Sequence, residues 1–374
     1  MLALAPFPSA DPIPLPAPVW IFKVLHATVL SLHFVVVQWV LGWLLIGLLW
    51  NFWGRARQNT VMISGSGRIA GTLPILMTYL INFGIPPLLF TQVLYGNFLY
   101  TSSVLIGAFW LSIVFLVIFV YSLLYAGNIR AEKSRGWWVL GLLALVGAVA
   151  IAKIYSTTMT LMLRPEVWVE MFRAHPGGTA LPPHDPTTTP RWLFMLAGAL
   201  TMGGLALVVT GTRLKQSAEK AFQVSTGGRV AVVGALVQAA AGWWVFHTQP
   251  ESVISKLSES AFYRPLPAVW LGLAAAAAVL GLIALVRREK ACLGLASMSA
   301  LVGLLLTATW VVYRDGIRDK ALLLSGFEVW DLKVVANWPV VILFVVVFLL
   351  GVAITGWMAA VALSAQPKKE EPAL

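Results

Sequence analysis

Apolar residues run along this chain in blocks of about 20, the length that crosses ~30 Å of hydrocarbon as a helix, and polar residues gather between the blocks. The blocks lie at 19–50, 72–96, 103–126, 136–163, 191–211, 229–247, 266–286, 291–313 and 337–364. They predict an all-α, polytopic integral membrane protein with nine transmembrane helices over 19–364. A Pro-rich extended lead-in (1–18) precedes them and a short solvated tail (365–374) follows. The lead-in lacks the basic start and apolar core of a signal peptide. The polar connections before the fifth, seventh and ninth helices, around 164–191, 248–265 and 314–336, are long. The first is rich in Pro, Gly and Thr and reads as a lid or docking segment; the other two are amphipathic enough to lie at an interface.

Composition fixes the class. Of 374 residues 59% are hydrophobic and 11% charged, with a mean hydropathy of +0.84, values that exclude an ordinary soluble domain. A net charge of +11 reads as nucleic-acid binding in a soluble protein; here loops lying against anionic lipid explain it, and no nucleic-acid partner is expected. One set of connections, with the tail, carries 15 of the 26 basic residues, among them Arg55, Arg57, Arg130, Arg213 and Arg287. The positive-inside rule then puts the C-terminus in the cytoplasm and the N-terminus outside a bacterial or archaeal inner membrane. The single cysteine, Cys292, excludes an internal disulfide and a covalent CxxCH haem site.

Polar side chains within apolar runs are the candidate chemistry, because in hydrocarbon they face protein, water or a cofactor. His26, His33 and Gln38 stand in the first run, and seven residues return a helix to nearly the same face. The two imidazoles therefore point one way, roughly 10 Å apart along the axis. Gln92 follows in the second run, Lys153 in the fourth and His247 at the end of the sixth. Histidine is a usual axial ligand of b-type haem, so His33 is a candidate metal ligand, with His26 or His247 as the second. Lys153 needs an offsetting partner, such as a propionate, quinone oxygen, carboxylate or water wire, or else it snorkels or bonds a backbone carbonyl.

Leu32-His33-Phe34, with INFGIPPLLFTQVLYGNFLYTSSVLIG over 81–107, resembles subunit I of the cytochrome bd quinol oxidases. TTMTLMLRP at the end of the fourth helix and GALTMGG in the fifth extend the resemblance. It implies a bd-like bundle in a respiratory membrane complex, b haem on His33, and Gln92 at an acidic position of the family. A homologous second membrane subunit is a further implication and a bound quinone is possible; on the reading preferred here an outer-side cytochrome c docks through the loops 164–191 and 314–336. Other ligand positions depart from the pattern. Phe194 stands where the low-spin haem histidine falls, no methionine occurs in the seventh helix, and the helix-8 signature survives as Trp310 and Gly316 with Arg314 in place of its glutamate. Arginine offers no lone pair to iron, so oxygen reduction by this chain is not expected. On this reading Arg314 and Arg318 pair with propionates beside Trp310. Two alternatives stay open: a cofactor-free structural anchor of the same fold, and a transporter using Lys153.

Overall fold

The computed structural model describes residues 13–364; most of the expected lead-in (1–18) and the whole tail (365–374) lie outside the described residues. Eleven α-helices follow in order: α1 Val19–Ala56, α2 Thr60–Leu105, α3 Gly107–Glu132, α4 Trp138–Leu161, α5 Trp168–Ala174, α6 Thr188–Gly211, α7 Ser217–His247, α8 Glu251–Glu259, α9 Leu266–Val286, α10 Leu293–Leu324 and α11 Trp338–Ser364. Among the described residues nine of these, all but α5 and α8, are long and apolar enough to cross a membrane.

Several helices overrun the apolar blocks. α2 begins at Thr60, capped by the Asn59 side chain accepting from Met62 N, and bends at Tyr95 (φ −136°, ψ 32°) before ending at Leu105. Pro74, Pro86 and Pro87 sit inside it, where each removes a helix hydrogen bond. Arg68, which falls between the first two apolar blocks, is therefore helical, and its Nη1 meets Glu219 of α7 at 2.8 Å. α10 likewise runs on through 314–324, a segment expected to lie at an interface. These eleven residues, about three turns, bring charged residues back over the bundle.

α1 is the central helix and packs on α2, α4, α6 and α10; α6 packs on α7, α7 on α9, and α3 on α4. Small residues set these distances, as membrane packing requires. A Cβ on Gly203 of α6 would stand 2.9 Å from Gly42 Cα of α1, one on Gly227 of α7 2.7 Å from Gly204 O, and one on Gly281 of α9 2.7 Å from Gly228 O. Around these contacts Trp43, Leu44, Leu73 and Leu207 form the main core. α11 stands off the bundle with exposed apolar side chains and meets α2 through Phe344 and Phe90, 6.1 Å between ring centres.

At the end of the bundle where α1 starts, Leu15 N donates to Lys333 O (2.8 Å) and Val335 N to Leu15 O (2.9 Å), so the lead-in is tied to the segment before α11. The segment after α4 folds over the same end as α5, where Trp168 Nε1 donates to Leu161 O at 3.0 Å.

Candidate functional site

Below this end, α1, α2 and α10 enclose a set of buried charges. Lys23 of α1 sits between two carboxylates one turn apart on α10: its Nζ is paired with Asp315 and lies 2.7 Å from Asp319 Oδ2. Tyr95, at the bend of α2, donates its hydroxyl to Asp319 Oδ1 (2.6 Å) and accepts from Lys23 Nζ (2.8 Å). Arg318 Nη1 lies 3.5 Å from Asp315 Oδ1, and its guanidinium covers the Tyr95 ring at 4.9 Å. Two cations thus balance two anions in a set whose members are all buried, which is how charge persists away from water. Tyr263, in the loop before α9, lays its ring on Gly316. Burial first, and the carboxylates of Asp319 and Asp315 next, push its phenol above the ordinary range, so the hydroxyl keeps its proton.

His26 is 1% exposed and links this set to α2. Thr91 gives its hydroxyl proton to Pro87 O (2.8 Å), which leaves Thr91 Oγ1 to accept from His26 Nε2 at 3.1 Å. His26 Nδ1 then faces Asp315 Oδ1 across 3.8 Å and has no hydrogen-bond partner.

His33, two turns deeper, is turned toward α2. Its Nδ1 lies 3.0 Å from Leu80 O, and its ring rests on Gly84, where a Cβ would come within 2.9 Å of Cε1. A carbonyl can only accept, so Nδ1 carries the proton and Nε2 keeps a lone pair. This is the arrangement in which histidines ligate metals, the second nitrogen fixing tautomer and ring orientation. The residues around His33 therefore fit one axial bond to a haem iron.

The other sequence candidates are not gathered at His33. His247 is exposed, stacked 3.9 Å from the Trp243 ring and bonded to Trp243 O (2.9 Å). Gln92 is exposed on the outward face of α2, one residue from the inward Thr91. Lys153 lies 5.3 Å over the Trp192 ring of α6 and has no ion pair among the described residues. Arg318 is taken up by Asp315 and Tyr95, whereas Arg314, one turn away, has neither hydrogen bond nor ion pair among the described residues. Trp310 packs 4.7 Å from Phe34 and 5.7 Å from Phe194, and Phe194 reaches Trp270 at 5.3 Å. With Leu30 and Leu306 these rings fill the interior between α1, α6, α9 and α10.

Lys23, Asp319 and Tyr95 were missed by sequence reasoning. Lys23 stands four residues into α1 and reads as an interfacial anchor, and the tyrosine sits among apolar neighbours. One signal existed: Arg314, Asp315, Arg318 and Asp319 repeat opposite charges at helical spacing.

No protein-family profile matches the chain, and no curated protein does. Among solved structures it is similar to a chain of the bd oxidase from Geobacillus thermodenitrificans, with a TM-score of 0.72 and 14% sequence identity, over 95% of this chain and 100% of that one. The fold is therefore bd oxidase-like.

Proposed function

We propose that this chain is a membrane subunit of a respiratory electron-transfer complex and holds one b-type haem on His33. The observation that carries the reading is the orientation of His33, with Nδ1 held by the Leu80 carbonyl and the ring seated on Gly84. The bd oxidase-like fold supports the respiratory setting. A haem at this position supplies one-electron transfer. The chain's own part is to fix the imidazole tautomer through Leu80, to leave room for the ring through Gly84, and to wall the neighbouring interior with Phe34 and Trp310. Oxygen reduction is not part of the proposal, since Arg314 and Phe194 offer iron no lone pair. Quinone remains a candidate electron partner within the complex. The end holding the start of α1 is assigned to the outside of the cytoplasmic membrane by the charge of the opposite loops. We propose that an outer-side cytochrome c docks on the segments 164–191 and 314–336, in the parts outside α6 and α10, and that a second membrane subunit, homologous or not, covers the exposed apolar side of α11.

One observation favours a second reading, a cofactor-free anchor: the rings of Phe34, Phe194, Trp270 and Trp310 pack against one another through the interior where further cofactors would lie. A reduced-minus-oxidised visible spectrum with pyridine haemochrome quantitation separates the two. One b haem per chain, lost in His33→Ala with the protein still folded, is the expected result. A wild-type chain without haem sinks the first reading in favour of the second, and haem retained by His33→Ala removes His33 as the ligand.

A further inference from the structure

α9 ends and α10 begins at the end of the bundle opposite the start of α1, and there the two helices part around a groove of about 370 Å³. α9 supplies Leu280, Ile283 and Arg287 to its walls, and the first turns of α10 supply Gly294, Leu295 and Met298. The floor is fixed, because Leu295 packs with Val208 of α6 and Val224 of α7 in one buried cluster. The walls are open: Ile283 is 38% and Met298 49% exposed. The mouth differs in character. Arg287, Arg288 and Lys290 stand against a single acid, Glu289, within the four residues 287–290, and none of the three cations has an ion pair among the described residues. α10 also opens here with no side-chain cap from Cys292, so the amides of its first turn add positive potential at the same mouth.

An apolar groove between membrane helices with cations at its mouth is complementary to a molecule that joins an apolar chain to an anionic head. We infer that this groove retains an anionic phospholipid, with one acyl chain along Leu280, Ile283 and Met298 and the phosphate at Arg287. Length favours a lipid over a protein partner. The groove follows α9 for two turns, from Leu280 to Arg287, about 10 Å, which the upper part of an acyl chain fills, whereas a helix docked along α9 and α10 would run far past it. Charge favours an anionic head over a neutral one, because the cations at the mouth lack counter-ions. Of the three, Arg287 alone lines the groove, and its planar fork suits two phosphate oxygens at once. The site shares no residue with the haem position assigned to His33 and stands whether or not that reading does.

Native mass spectrometry of the full chain, released from mild detergent, counts the lipids bound in titrations with phosphatidylglycerol and with phosphatidylcholine of the same acyl chains. Wild type is expected to hold one phosphatidylglycerol about fivefold more tightly than phosphatidylcholine, the contribution of a single basic side chain at an anionic headgroup. Arg287→Gln should erase that preference, while Arg288→Gln, which removes an exposed cation outside the groove, keeps it. Gly294→Leu fills the groove from within. A Cβ at this position meets nothing nearer than Cys292 Sγ at 3.8 Å, and leucine favours helix over glycine, so the variant is expected to fold, as far-UV circular dichroism checks, and to lose the tightly held phosphatidylglycerol. The inference is overturned if wild type binds the two lipids equally, if Arg287→Gln keeps the preference, if Arg288→Gln loses as much of it as Arg287→Gln, which marks diffuse attraction to the whole basic surface, or if folded Gly294→Leu binds phosphatidylglycerol like wild type.

Discussion

Lys23→Met tests whether the buried charges hold α1, α2 and α10 together. The Lys23 ammonium lies 2.7 Å from Asp319 Oδ2, a separation at which one pair of unit charges attracts by about 6 kcal/mol at an effective dielectric near 20. Most of that gain is offset by the several kcal/mol needed to take each ion out of water, so the intact pair adds little net stability. Removing one partner is different. Asp315 and Asp319 would face each other with Arg318 as their remaining cation, and Tyr95 would lose the ammonium its oxygen accepts from. A loss of 3–5 kcal/mol is expected, in the range measured for broken buried pairs. Lys23→Met with Asp319→Asn restores balance, since Arg318 and Asp315 remain as a neutral pair, and should recover about 2 kcal/mol or more. Unfolding by SDS in mixed micelles, followed by far-UV circular dichroism, gives both values. A single variant that loses less than about 1 kcal/mol, or a double variant whose losses simply add, would refute the reasoning.

Three other substitutions probe the rest of the bundle. Gly42→Val pushes a side chain into the Ala199 and Gly203 backbone of α6, where nothing flexible can yield, and should cost more than about 3 kcal/mol or prevent accumulation of folded protein, read by the same titration. Lys153→Met should change stability by no more than about 1 kcal/mol, because it gives up one cation–π contact with Trp192 while removing an unpaired charge from the apolar interior; a collapse of solute flux in inverted vesicles would instead revive a transport role. Phe194→His alone should not raise the haem-to-protein ratio, since Trp270 and Trp310 stand 5.3 and 5.7 Å from that ring, and pyridine haemochrome quantitation checks it.

The spans were legible because each needs its own apolar run, whatever its neighbours are. What hydropathy could not see was helix beyond the hydrocarbon: residues 60–71 of α2, 217–228 of α7 and 314–324 of α10 are too polar to register as span, yet they continue their helices. The site was legible only in part for the same reason. A spacing of seven puts His26 and His33 on one face of α1, but their partners, Thr91 and Leu80, come from α2 at distances along the chain that no local pattern encodes. Gln92 shows how narrow the margin is. Its type and place drew attention, but the rotation of α2 turns it outward and its neighbour Thr91 inward, and rotation about a helix axis is set by packing partners. The ion set failed on another count: Lys23 meets Asp319 across 296 residues of chain, so each charge read alone looks like a loop or interface residue.

Position 314 links the two halves of the site. Where the resemblance implies a glutamate, the buried end would carry three carboxylates, Asp315 and Asp319 included, against Lys23, Arg318 and Arg191. Arginine at 314 adds a positive charge to this end instead, one turn from Trp310 on α10. A metal is poorly served there, because a cation beside a guanidinium gains neither ligand nor field. The arginine at 314 therefore changes the charge at this end of the bundle from what the resemblance implies, while the backbone stays bd oxidase-like.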